Sequence, residues 1–227
     1  MYLCAIVAAA GLSSRMGAFK PLLPIDGEPA IVHLLKTLHS AGVDQTILVT
    51  GYRHQAIARV CAQLPDITLV HNARFAQTQM FDSLCLGLSN IPSRCDRILF
   101  TPADIPLVTA NTVSLLSRTS VPLLYPSYQH RCGHPISLRA SLAPSLLHYH
   151  GSDGLKGALR ALPVQPLYLT VNDPFVRVDM DFPADYHSLL HLHQTFSKEQ
   201  AHVPQTQYVE CAQLAANATD CTQYFHS

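Results

Sequence analysis

The sequence predicts an α/β protein, a Rossmann-like three-layer sandwich with a mostly parallel central sheet. Two observations predict this fold class. Short apolar runs of strand length alternate with longer stretches in which apolar residues recur at helical spacing. Such an alternation of strands and helices is typical of a parallel sheet covered by helices on both faces. The chain of 227 residues is long enough for one such domain followed by a tail.

The first strand is predicted at Leu3 to Ala8, an apolar run that is too short for a helix. After a long loop, Pro29 opens a helical stretch at Ile31 to Ala41, which Gly42 ends. Proline in the first turn and glycine just beyond the last turn are the usual arrangement at helix ends. This helix is expected to cover one face of the sheet.

The remaining elements follow from the same two patterns. Strands are predicted at Gln45 to Thr50, Ile67 to Val70, Arg97 to Phe100, Pro122 to Tyr125, just after Pro135, and running into Asp179. Helices are predicted at Arg53 to Leu64, Phe81 to Leu88, around Leu115 and Leu116, at Leu155 to Leu162, and from Pro183 onward. We place the domain at residues 1–193 and a tail at 194–227. The tail has one mildly helical stretch, Tyr208 to Ala218, and no recognisable chemistry.

The loop after the first strand has the composition of a phosphate-binding loop. Gly11 and Gly17 allow the backbone to approach a ligand closely, and Arg15 and Lys20 supply positive charge. Neither the Walker spacing nor Gly-x-Gly-x-x-Gly is present, so an ordinary P-loop NTPase and a classical dinucleotide site are not indicated. The alternative is a strand-to-helix turn whose cations are merely solvated.

A carboxylate follows the strand predicted at Arg97 to Phe100. Pro102 and Pro106 stop this strand and prevent an immediate helix, which leaves Asp104 at the carboxyl edge of the sheet. Open α/β sheets bind their ligands at that edge. We therefore expect Asp104 to face the same crevice as the first loop, although an aspartate in such a turn is also a common turn or cap residue.

Four stretches resemble the motifs of one enzyme family. The first loop is similar to the signature A-A-G-x-S-x-R-M-G-x-x-K-x-L-L of the MobA-like NTP transferases, the family that includes the molybdenum cofactor cytidylyltransferases and guanylyltransferases. The later stretches are similar to its A-D-x-P, R-G-H-P and D-I-D-T-P-E-D-Y motifs. The resemblance extends from about residue 3 to residue 192. The matching stretches are Ala9 to Leu23, Ala103 to Pro106, Gly133 to Pro135 and Asp179 to Tyr186.

This resemblance implies a fold of the nucleotide-diphospho-sugar transferase type and the transfer of a nucleoside monophosphate from an NTP to a phosphate-bearing acceptor, with release of pyrophosphate. Arg15, Lys20 and Asp104 would be catalytic, and Asp104 and Asp179 would hold Mg²⁺. His134 and Lys156 would contact the acceptor. The nucleotide-binding residues that the resemblance implies are Ala8, Ala9, Ala10, Gly11, Ser13, Ser14, Arg15, Lys20, Asn72 and Ser83.

Within the family, Gly133 to Pro135 favours the cytidylyl branch, with CTP as the nucleotide and molybdopterin as the acceptor. A molybdoenzyme or a chaperone is then the expected protein partner. Two departures bear on this assignment: Cys132 separates Arg131 from Gly133, and Gln77 to Phe81 lacks an expected glycine. Guanylyl transfer and transfer to a sugar or alditol phosphate remain alternatives, as do a silent nucleotide sensor and a Rossmann-type oxidoreductase.

Several of these residues also have purely structural interpretations. Asp181 is suited to capping the helix that opens at Pro183, and Asp153 to capping the helix at Leu155 to Leu162. Lys156 lies in the first turn of that helix, where an exposed lysine commonly has no specific role. His134 is equally consistent with a satisfied structural histidine.

Composition excludes several classes of function. Lys and Arg number 15, as do Asp and Glu, so the chain has no electrostatic footprint for nucleic acid or an acidic membrane. No apolar run is long enough to span a bilayer, and the start lacks the charged region of a signal peptide. The seven scattered cysteines form no Cys-x-x-Cys pair and are expected to be reduced thiols. We therefore expect a cytoplasmic protein.

Overall fold

The computed structural model describes the backbone of residues 1–202 and the side chains of residues 1–198. Within this range the chain forms a central sheet of eight strands, with the order β10-β7-β9-β6-β1-β4-β5 and β8 paired to β7. The helical stretch predicted at Tyr208 to Ala218, and most of the predicted tail, lie outside the described residues. The strands of this sheet are β1 (Leu3–Ala9), β4 (Gln45–Thr50), β5 (Ile67–His71), β6 (Arg97–Pro102), β7 (Leu123–Tyr128), β8 (Arg131–Cys132), β9 (Ile136–Arg139) and β10 (Leu167–Thr170).

Helices cover both faces of the sheet. A small hairpin formed by β2 (Pro24–Ile25) and β3 (Glu28–Pro29) precedes the first helix. The helices are α1 (Ala30–Ser40), α2 (His54–Cys61), α3 (Met80–Leu88), α4 (Ala110–Ser117), α5 (Ala143–Leu147), α6 (Gly154–Arg160) and α7 (Pro183–His202). The predicted three-layer α/β fold with a mostly parallel sheet is confirmed.

The core lies on both sides of β1, as its continuous apolar sequence requires. Val7 packs into a cluster with Leu34 of α1 and Val113 of α4 on one face. Ile6 packs into a second cluster with Leu84 of α3 on the other face. All of these side chains are fully buried. Alternating residues of β1 thus pack against the helices on both faces of the sheet. This packing holds the carboxyl end of β1 in the middle of the sheet.

The structure differs from the prediction in the part of the sheet formed by β7, β9 and β10 and in the segment before Asp179. β9 runs antiparallel to both β6 and β7, and the short strand β10, which the sequence did not predict, pairs in parallel with β7. The strand predicted to run into Asp179 does not form; residues Pro174–Val176 make a 3₁₀ turn instead. The cause is Asp173, whose Oδ1 accepts a hydrogen bond from the N–H of Phe175 over 3.0 Å. None of the helices in residues 1–202 combines the length and apolarity needed to cross a membrane.

Candidate active site

Two neighbouring strands end at the same edge of the sheet and deliver the central parts of the site. β1 and β6 are parallel, with Ala8 opposite Pro102. The N–H of Ala103 donates to the carbonyl of Ala8 over 2.9 Å. The loop that follows β1 therefore lies beside Asp104, at the edge where open α/β sheets bind ligands.

The loop is held in shape by its own polar groups. The N–H of Met16 donates to the carbonyl of Ser13 over 3.2 Å, and the N–H of Lys20 donates to Ser13 Oγ over 3.2 Å. Ser13 and Gly17 both adopt left-handed conformations, with φ of 55° and 70°. These contacts bring the backbone of Lys20 back to the start of the loop.

Two adjoining cavities lie along this edge. The first has a volume of about 250 Å³ and opens between the ends of β1 and β6. The second has a volume of about 450 Å³ and shares Gly11, Ser13, Lys20 and Asp104 with the first. Of the predicted site residues, the first cavity is lined by Ala8, Ala9, Ala10, Gly11, Ser13, Lys20, Ser83 and Asp104. The second is lined by Gly11, Ser13, Ser14, Arg15, Lys20, Asp104, His134 and Asp179.

Lys20 joins three separate segments of the chain. Its Nζ donates to Asp104 Oδ2 over 3.2 Å and to Asp181 Oδ1 over 2.5 Å. The other carboxylate oxygen of Asp181 lies 2.7 Å from Arg15 Nη2. The hydrogen bond from Lys20, together with the charges of Lys20 and Arg15, holds the pKa of Asp181 below its usual value. Both predicted phosphate-binding cations are thus anchored by one carboxylate.

Asp181 therefore does not have the capping role that the sequence suggested. α7 begins at Pro183, and the N–H of Phe182 donates to Asp185 Oδ2 over 2.7 Å. The carboxylate of Asp181 points instead to Arg15 and Lys20, because two cations bind a carboxylate more strongly than one backbone N–H does. Asp153 lies at the N-cap position of α6 as expected, but its side chain makes no capping hydrogen bond.

Asp179 faces the same cavity as Asp104 and Asp181. Partial loss of water around its carboxyl group raises its pKa, and the negative charges of Asp104 and Asp181 raise it further, while Lys20 lowers it. A cation beside Asp179 would relieve this repulsion. Among the described residues, no group of three or more His, Cys, Asp or Glu side chains is arranged to hold a metal ion. The carboxylates present fit an ion that takes its remaining ligands from phosphate and water, as Mg²⁺ commonly does.

His134 connects the second cavity to a third. This third cavity, with a volume of about 490 Å³, is lined by both His134 and Lys156. The backbone N–H of His134 donates to the carbonyl of Val176 over 2.7 Å, and burial lowers the pKa of its ring, which favours the neutral imidazole. Gly133 is required here, because a Cβ at that position would lie 2.1 Å from the carbonyl oxygen of Val176.

Asn72 does not line any of these three cavities. Its side chain is buried, donates to Thr78 Oγ1 over 2.8 Å and accepts from the N–H of Arg74 over 3.0 Å. In this structure Asn72 shapes the connection between β5 and α3 rather than the cavity wall.

The connection between β5 and α3 forms part of the wall of the first cavity, and the sequence-based site prediction did not include most of its residues. Phe75, Thr78, Gln79 and Met80 all line the first cavity. A usable signal was present, because Gln79 and Asp82 have the spacing of a capping box at the start of α3. The N–H of Gln79 donates to Asp82 Oδ2 over 2.7 Å, which fixes the start of the helix against the cavity.

A glycine-containing loop and a carboxylate at adjacent strand ends, with cations between them, are the arrangement expected of the nucleotidyltransferase class. Residues 5–166 match the family model of the MobA-like NTP transferase domain. The chain therefore belongs to the MobA-like NTP transferase family. Members of this family act on a nucleoside triphosphate and a small-molecule acceptor.

Several relatives and one solved structure illustrate the range of the similarity. The chain is 26% identical to the molybdenum cofactor cytidylyltransferase of Escherichia coli over 80% of its own length and 92% of that protein. It is 33% identical to the choline-phosphate cytidylyltransferase of Haemophilus influenzae over 37% of each. It is 31% identical to the bifunctional protein GlmU of a Psychrobacter species over 52% of its length, but it spans only 26% of GlmU. A nucleotidyl transferase structure from Methanothermobacter (Mth528) has a TM-score of 0.74 and 25% identity, covering 86% of this chain and 99% of that one.

Proposed function

We propose that this protein is a Mg²⁺-dependent cytidylyltransferase that transfers CMP from CTP to a phosphate-bearing acceptor and releases pyrophosphate. The observation that carries the proposal is the meeting of Lys20 with Asp104 and Asp181, beside Arg15 and the Gly11 loop. Cations, an open backbone loop and carboxylates at one strand edge are what phosphoryl chemistry requires of a protein.

In this reaction an oxygen of the acceptor phosphate attacks the α-phosphorus of CTP. A new phosphoanhydride bond forms and the bond to the pyrophosphate group breaks, so that pyrophosphate leaves with the bonding electrons. Lys20 and Arg15 stabilise the negative charge on the phosphate oxygens during this exchange. To do so, both side chains shift part of their hydrogen bonding from Asp181 to phosphate. The backbone of Gly11 leaves room for close approach of the phosphates.

Asp104 and Asp179 are the residues that would hold Mg²⁺. Asp179 has a raised pKa beside two other carboxylates, so a divalent cation fits the charge that these residues bring together. The chemistry that such an ion supplies when bound is neutralisation and orientation of phosphate oxygens. Lys20 keeps Asp104 in position for this role through its 3.2 Å hydrogen bond.

The choice of CTP and of the acceptor is supported by the motif at Gly133 to Pro135 and by the relatives. The Escherichia coli relative that matches most of this chain is a molybdenum cofactor cytidylyltransferase. We propose molybdopterin as the acceptor, bound by His134 and Lys156. These two residues line the third cavity, which adjoins the second cavity at His134. A molybdoenzyme or its chaperone would then receive the product. The alternatives within the family are guanylyl transfer and transfer to a sugar or alditol phosphate.

The first experiment is thermal unfolding of the protein with CTP, GTP, ATP or UTP, each with and without Mg²⁺. A ligand at 100 times its Kd stabilises the folded state by about 2.7 kcal/mol, which is a shift of several degrees for a domain of this size. Selective, Mg²⁺-dependent stabilisation by CTP is expected, followed by pyrophosphate release when molybdopterin is added. Stabilisation by GTP alone would move the assignment to guanylyl transfer. Nucleotide binding without pyrophosphate release from any acceptor would favour a silent sensor.

A further inference from the structure

A buried arginine at the opposite end of β6 forms no ion pair within the described residues 1–198. Arg97 is the first residue of β6 and is only 2% exposed. Its Nη1 donates to Ser137 Oγ over 2.8 Å and its Nη2 donates to the carbonyl of Val121 over 2.7 Å. Its Nε is buried and has no hydrogen-bond partner among the described residues. A buried, charged donor without a partner is costly, and in native proteins it commonly marks an ion or water that belongs there.

The residue paired with Arg97 across the sheet is a second arginine. Arg139, the last residue of β9, lies directly opposite Arg97 in the antiparallel register. It is exposed, and its Nη2 donates to the carbonyl of Ser120. Like charges in opposite positions of a strand pair destabilise it. Among the ion pairs of residues 1–198, none joins Arg97 or Arg139 to a carboxylate.

These two arginines line an open cavity whose wall also contains residues with hydroxyl groups. The cavity has a volume of about 600 Å³, and its wall includes Arg97, Arg139, Thr119, Ser120 and Ser141. One carboxylate, Asp96, also lines it. That carboxylate is already engaged, because its Oδ2 accepts a hydrogen bond from the N–H of Tyr2 over 2.6 Å.

The cavity is separate from the candidate active site. Arg97 begins β6, whereas Asp104 follows the other end of the same strand. Arg97 and Pro102, the two ends of β6, are separated by five residue steps of about 3.3 Å each, or about 17 Å. An anion held at this edge would therefore not be the triphosphate bound by Lys20 and Arg15.

We propose that this cavity is a second anion-binding site, which takes a phosphate group between Arg139 and the hydroxyls of Ser120 and Ser141, above the buried charge of Arg97. Guanidinium groups bind phosphate oxygens through paired N–H donors, and two arginines match the charge of a phosphate dianion. The same chemistry suits free inorganic phosphate and the phosphate group of a monoester. This site goes beyond the proposed transfer reaction and does not depend on it.

The test measures phosphate binding in a buffer free of other oxyanions. The wild-type protein and the variants Arg139→Gln, Lys20→Ala and Arg59→Gln are titrated with sodium phosphate, with sodium chloride at equal ionic strength as the reference. Arg139 is exposed, so Arg139→Gln is expected to fold normally. Arg59 is an exposed arginine of α2 that lines neither the two active-site cavities nor the Arg97 cavity, which makes Arg59→Gln the matched control. The readouts are thermal unfolding and the ¹⁵N NMR signal of the Arg97 Nε–H group.

Phosphate should raise the midpoint of wild-type unfolding by several degrees and shift the Arg97 signal. Both responses should persist in Lys20→Ala and Arg59→Gln and be lost in Arg139→Gln. Glycerol 3-phosphate, tested in parallel, shows which source of phosphate is preferred, and a response to either supports the site. Unchanged responses in Arg139→Gln, loss of them in Lys20→Ala alone, or an equal response to sodium acetate would overturn the proposal.

Discussion

Lys20 Nζ and Asp181 Oδ1 lie 2.5 Å apart, although the two residues are separated by 161 positions in the sequence. This contact ties the loop after β1 to the segment that leads into α7. Arg15 makes the second contact between the same two segments, 2.7 Å from the other oxygen of Asp181. The charges that would meet a triphosphate are therefore held in place before any ligand binds, which is the condition for effective electrostatic catalysis.

Replacing Lys20 with alanine should abolish most activity while leaving the protein folded. Loss of a positioned charge that contacts phosphate oxygens typically lowers kcat by about 10²–10³-fold. The measurement is pyrophosphate release under saturating CTP and acceptor.

Lys36→Ala is the matched control for this prediction. Lys36 is exposed and pairs with Glu28 over 2.6 Å on the surface, so its loss should leave the rate unchanged. Equal activity of Lys20→Ala and Lys36→Ala would contradict the role of Lys20.

Replacing Asp179 with asparagine should make the ligand-free protein more stable at neutral pH. The pKa of Asp179 is raised in the folded state, so the folded form binds its proton more tightly than the unfolded form does. Its contribution to stability is therefore present below the ordinary carboxyl pKa and is lost as the pH rises through the raised value. Asparagine does not titrate, so the variant does not lose this stability as the pH rises.

The measurement is the free energy of unfolding of the wild type and Asp179→Asn between pH 3 and pH 7, without divalent ions. The difference between the two proteins should grow in favour of Asp179→Asn as the pH rises. The same variant should lose the Mg²⁺-dependent part of nucleotide stabilisation. A constant difference across this pH range would refute the predicted repulsion.

Replacing Gly11 with alanine should impair nucleotide binding without affecting the fold. A Cβ at Gly11 would have no atom of the described residues within 4 Å apart from its chain neighbours, so the change in unfolding free energy should stay within about 0.5 kcal/mol. The added methyl group would occupy space in the two cavities that Gly11 lines. CTP affinity, measured by calorimetry, should therefore fall.

Gly17→Ala provides the contrast within the same loop. Gly17 has a φ of 70°, where a side chain costs about 1–2 kcal/mol, so this variant should lose stability. If Gly11→Ala binds CTP as tightly as the wild type, the loop does not bring its backbone close to the phosphates.

Replacing Gly133 with alanine should destabilise the protein. The new Cβ would lie 2.1 Å from the carbonyl oxygen and 2.6 Å from the carbonyl carbon of Val176, and backbone atoms cannot rotate away as a flexible side chain could. Overpacking of this kind typically costs about 1–3 kcal/mol. Thermal unfolding measures the loss, and His134→Ala, which removes the neighbouring ring without adding volume, separates the backbone effect from the ring's own role. An unchanged unfolding midpoint for Gly133→Ala would show that this close approach does not exist in solution.

Much of the fold could be predicted because its information is local. The apolar run at Leu3 to Ala8 and the helical spacing at Ile31 to Ala41 each encode the period of their own element. Pro102 and Pro106 fixed where β6 stops, and thereby placed Asp104 at the strand edge. The loop and Asp104 were expected to lie beside each other because the carboxyl ends of parallel strands lie at the same edge of a sheet.

Other features depended on contacts that no local pattern contains. The Asp173 carboxylate accepts hydrogen bonds from the hydroxyls of Thr109 and Thr112, which are more than 60 positions away in the sequence. These contacts hold Pro174–Val176 in a 3₁₀ turn, so the strand expected before Asp179 does not form. The pairing of Lys20 with Asp181, and of Arg97 with Arg139, likewise arises only when distant segments pack together. Sequence alone determined most of the elements and their order, since periodicity and turn chemistry act over a few residues, but it missed β10 and placed a strand before Asp179 where none forms. The tertiary structure decided which charges meet, because that depends on the register and packing of segments far apart in the chain.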